Sequence, residues 1–86
     1  MNPQDFETQL KAAEANVENE IKNNLSRASV ISRHPMRLQV WAPHYWKFFS
    51  GSTKKKARKL VNNLGWAFEE QDEQERDEAR WYLKAK

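Results

Sequence analysis

No cysteine occurs anywhere in the chain, which excludes disulfide staples and thiolate metal sites. Glycine is limited to two residues and proline to three. That is too few turn-formers for a fold of many short strands, so helices are expected. No apolar run comes near the roughly 20 residues that span a bilayer. The first twenty residues are acidic and helix-like, unlike a secretory signal peptide, and a cytoplasmic location is expected. A glycine-rich phosphate loop is missing. The only histidines are His34 and His44. With the acids in distant blocks they make no metal-ligand set, and no nucleophile–base arrangement stands out around them. The acidic run of residues 69–78 reads as a solubilising face or a docking surface and not as a carboxylate pair split by a cleft. Neither enzymatic activity nor a cofactor is expected.

Acids are also missing, along with their charge, from all of residues 21–68, where ten cations sit. The net charge of +3 therefore hides a segregation: −4 over residues 1–20, +10 over 21–68, −6 over 69–78 and +3 over 79–86. Such blocks point either to an anionic partner for the middle or to pairing of the blocks with one another. In the second case the lysines would face Glu14, Glu18 and Glu20.

What the chain does have is concentrated in one stretch, Trp41 to Lys59. Six rings fall within nine residues: Trp41, His44, Tyr45, Trp46, Phe48 and Phe49. Five cations then fill six positions: Lys54, Lys55, Lys56, Arg58 and Lys59. Rings beside cations are how proteins hold single-stranded nucleic acid. The same residues also describe a small core followed by a solvated helix start, where cations oppose the helix dipole and need compensation.

Phe6, Leu10, Ala13, Val17, Ile21, Leu25 and Ala28 recur every three or four residues, one apolar stripe of a helix. Asn2 and Pro3 suit its start, and Pro35 ends it. Met36, Leu38 and Val40 alternate, as in a short extended segment. Pro43 to Gly51 has room for a short helix. Ser52 or Thr53 can cap the next helix, whose face runs through Ala57, Leu60, Val61, Leu64 and Phe68. Gly65 is taken inside that helix at a cost of about 1 kcal/mol, and the apolar face resumes at Ala79, Tyr82 and Leu83. The expected fold is all-α. Two long amphipathic helices, about 3–32 and 53–84, flank an aromatic-rich connector in a single small domain of residues 1–86. Self-association or a partner would complete so small a core.

The expected function is a small, non-enzymatic nucleic-acid-binding accessory protein with DNA or RNA as partner. Lys54, Lys55, Lys56, Arg58 and Lys59 would neutralise phosphates, with Arg33, Arg37 and Lys47 extending the track. Trp41, Tyr45, Trp46 and Phe49 would supply stacking or anchoring contacts. The alternative is a protein-interaction module, an adaptor, inhibitor or assembly component, anchored by residues 41–49. In it the charge blocks pair within the chain or between copies of a homo-oligomer.

Overall fold

The apolar stripe that begins at Phe6 stays helical only as far as Ser26. The computed structural model describes residues 3–69 and 80–86. In it α1 (Pro3–Ala15) and α2 (Val17–Ser26) are nearly one rod, interrupted at Asn16. The Asn16 N–H still donates to the carbonyls of Ala12 and Ala13, so the break sacrifices little hydrogen bonding.

Beyond Ser26 the all-α expectation fails. Four antiparallel strands form one sheet: β1 (Ser29–Arg33), β2 (Met36–Trp41), β3 (Trp66–Phe68) and β4 (Arg80–Ala85), in the order β1-β2-β4-β3. With α3 (Gly51–Asn63) the architecture of the described residues is α+β, three helices and a four-stranded sheet, and not all-α. Three local features explain the difference. Val30 and Ile31 are β-branched, so they lose rotamer freedom in a helix and suit a pleated surface. The two-residue turn His34-Pro35 folds β1 back on β2, with Arg33 opposite Met36. Gly65, at φ +96°, takes the left-handed conformation that closes α3. Trp66-Ala67-Phe68 therefore starts a strand instead of continuing the helix.

The alternation at Met36, Leu38 and Val40 belongs to a strand whose main partner lies far along the chain. β2 pairs with β4 from Arg37↔Lys84 to Trp41↔Arg80. One side of this central pair carries Leu38, Val40, Trp81 and Leu83, all buried. Val17 and Ile21 of α2 and Ala57 and Val61 of α3 cover that side, and Trp46 and Phe49 fill the space between. Burying a side chain of Val or Leu size contributes about 1.5–3 kcal/mol, so these residues carry the fold. The other side carries Arg37, Gln39, Trp41, Arg80, Tyr82 and Lys84, none of which joins the core.

The connector forms only a 3₁₀ turn at Trp46–Phe48 where a short helix had room. Ser50 caps α3, its hydroxyl accepting from the Thr53 N–H at 3.2 Å. The cap is thus two residues earlier than Ser52, and Gly51 opens the helix instead of closing the preceding one. The expected cap at Asn2 and the part of the expected second helix that falls on residues 70–79 lie outside the described residues. No helix among the described residues is long and apolar enough to cross a membrane.

Candidate nucleic-acid interface

The lysine run opens α3, and its surroundings answer where its cations point. Three nearby carboxylates were the candidates to neutralise it. Glu18 pairs with Lys22 one turn along α2, at 3.2 Å. Glu20 binds His44, through the ring Nδ1 at 2.6 Å and the backbone N–H at 3.1 Å. Glu14 accepts from the Ser50 backbone N–H at 2.9 Å. Among the described residues, no carboxylate forms an ion pair with Lys54, Lys55, Lys56 or Lys59.

Glu14 also resolves the dipole problem. Its carboxylate sits at the N-terminal end of α3, where negative charge is favourable. The Ser50 N–H and then the Thr53 hydroxyl hold its carboxyl below the usual range. One acid from α1 thereby anchors the helix start, and among the described residues the lysines that follow form no ion pair. Lys54 lies 5.7 Å from the centre of the Trp46 ring. Lys55, Lys56 and Lys59 are exposed.

The remaining cations of the expected track are scattered. Arg58 stacks over Phe68 at 5.6 Å. Arg37 lies on the outer side of the sheet and holds Glu69 with two hydrogen bonds, from Nε at 2.5 Å and from its terminal nitrogen at 3.0 Å. Arg33 is exposed at the hairpin end. Lys47 lies over the Phe48 ring at 5.2 Å. The structure does not bring Arg33, Arg37 and Lys47 onto the face of the lysine run.

The rings divide as sharply. Trp46 and Phe49 are core residues, 9% and 5% exposed. Trp46 packs edge-on against Trp81, and Trp81 in turn against Phe68. Tyr45 is half-buried against Phe6 and donates its hydroxyl to Gln9. Of the Trp, Tyr and Phe rings in this stretch, Trp41, 59% exposed, and Phe48, 49% exposed, present large ring surface.

Both exposed rings line an open groove of about 940 Å³ between α2 and the connector, with Glu20, Asn24, Arg27, His44 and Lys47 among its walls. Asn24 fixes one wall by donating to the Trp41 carbonyl at 3.0 Å. The seam between α2 and α3, lined by Glu18, Lys56 and Lys59, lies elsewhere. Glu18 and Glu20 project about 160° apart on an ideal helix, so groove and lysine face occupy opposite flanks of α2. Arg27 is one of the ten cations of the acid-free window, and nothing in the sequence ties it to this groove. Arg80, stacked over Trp41 at 5.0 Å, was not singled out, because its place opposite Trp41 exists only once β2 and β4 pair. Among the described residues no group of three His, Asp or Glu side chains is placed to hold a metal ion.

No protein-family model matches this chain, and comparisons with curated proteins and with solved structures return no match.

Proposed function

We propose that this protein is a small non-enzymatic nucleic-acid-binding protein whose primary contact is the lysine face of α3. The supporting observation is that Lys54, Lys55, Lys56 and Lys59 have no carboxylate partner among the described residues, while Glu14, Glu18 and Glu20 are each engaged elsewhere. Phosphate is the ligand chemistry that suits such a row. Lysine ammonium groups are point charges without the fork that reads base edges, so the contact is to backbone and independent of sequence. Neutralising four phosphates releases counterions, and affinity should fall about 10²-fold between about 50 and 200 mM salt. Titration of mixed-sequence DNA and RNA at these two salt concentrations tests the reading. Undetectable affinity at low salt, or affinity that ignores salt, rejects it.

A second reading, a protein-interaction module, is favoured by a different feature. β1 is an edge strand, and Val30 and Ile31 on it are 49% and 44% exposed. Exposed edges are templates for pairing with another chain. A second copy is the simplest occupant, and molecular mass in solution that rises with concentration would support it. A monomer at every concentration would reject that form of the reading.

A further inference from the structure

The groove between α2 and the connector differs in kind from the lysine face. Each of its two exposed rings has a cation against it: Lys47 over Phe48 and Arg80 over Trp41. Arg27 joins Lys47 in the lining, and Glu20, the one carboxylate among the described lining residues, is already bound by His44. Trp41 remains 59% exposed although Arg80 lies over its ring. Its backbone is held by Asn24 and by pairing with β4, so the ring stands on a fixed platform.

We propose that this groove seats an unpaired nucleotide of a single strand, with the base stacked against Trp41 or Phe48 and the phosphate held by Arg27 and Lys47. Stacking accepts any base, since every base has a π-face. A base within a duplex is already stacked and cannot enter. The groove therefore gives the protein a preference for single strands that the lysine face alone lacks. This inference rests on the nucleic-acid reading above but on different residues.

The test uses the full chain and two fluorescent probes, an oligothymidine of about twenty nucleotides and a duplex of similar length, which both exceed the site sizes typical of single-strand binders. The variants are Trp41→Ala, Arg27→Ala and Lys54/Lys55/Lys56→Ala. Trp41 and Arg27 are exposed and outside the core, and thermal melts check that both variants stay folded. Trp41→Ala should weaken single-strand binding by about 5- to 100-fold. Arg27→Ala should weaken it by a smaller factor. Both should leave duplex binding within about twofold, while the lysine variant weakens both probes. If Trp41→Ala and Arg27→Ala change neither probe, or both probes equally, the groove inference falls while the lysine-face reading stands. Wild-type protein that binds neither probe removes both. Displacement of the oligothymidine by polyglutamate, undiminished in the lysine variant, would assign the groove to an acidic peptide and overturn the proposal.

Discussion

Trp41 and Trp46 are the same residue type, five positions apart in one aromatic stretch, and the fold uses them in opposite ways. Trp46 turns into the core between α3 and the sheet, edge-on to Trp81. Trp41 stands at the end of β2 on the outer side, its ring against Arg80. The difference comes from strand parity. Leu38 and Val40 point inward, so Trp41, one position further, points out. Trp46 belongs to the 3₁₀ turn, where no such alternation applies. An aromatic run is therefore not one functional unit, and its members divide into those that hold the fold and those left for a ligand.

The sharpest way to break this comparison is truncation. Trp46→Ala should cost about 3–5 kcal/mol of stability, a large share of what so small a domain has. Trp41→Ala should cost no more than about 1 kcal/mol, the scale of an exposed cation–π contact. Urea unfolding of both variants measures the gap, and equal costs would erase the distinction.

The lysine face should behave as the reverse of Trp46, important for binding and nearly neutral for folding. Lys54/Lys55/Lys56→Ala is expected to flatten the plot of log affinity against log salt by a slope of about 3, with a melting temperature unchanged or slightly raised because cations at a helix start oppose its dipole. An unchanged slope would show that the charge lies elsewhere.

Gly65→Ala isolates backbone from packing. A Cβ there meets nothing within 4 Å, yet φ is +96°. A loss of about 1 kcal/mol is expected from conformation alone. A stabilising outcome would mean that α3 does continue through residue 65, as the sequence pattern invites.

The smallest effect concerns Glu14. Its folded carboxyl titrates below its ordinary value of 4.5. The linked stability is complete above that pH and is lost as pH falls through the lowered value. Glu14→Gln should therefore reduce the acid sensitivity of the melting temperature slightly below pH 4.5, and an unaltered acid profile would show that the Ser50 contact contributes nothing in solution.

Much of the helical part was legible. The stripe through Val17 and Ile21 and the face through Ala57 and Val61 both became core. The sheet was not, for a physical reason. β1 and β4 are five and six residues long, and Val30-Ile31 or Trp81-Tyr82-Leu83 can each be placed on a helical or an extended pattern with little penalty. Their state is decided by pairing partners far away in sequence. The alternating segment Met36–Trp41 was visible, but it lacked a partner within reach. The balance of +10 against −10 across the blocks suggested internal neutralisation of the lysines. Among the described residues the first acidic block instead serves a helix cap, a histidine and an intrahelical lysine, while residues 70–78 of the second block lie outside them. Charge totals carry no directions, and hydrogen-bond geometry does.

The order of strands also sets a clock. The centre of the sheet joins Trp41 to Arg80, a closure across about forty residues whose entropy must be met before the contact rewards it. Helices and the β1–β2 hairpin are local and form in microseconds. One edge of β2 stays unpaired until residues 80–85 arrive, and during that interval its backbone, with Leu38 and Val40 on its core face, is open to another strand. Docking of β4 is therefore the expected slow step of folding, and the expected moment of greatest exposure to aggregation.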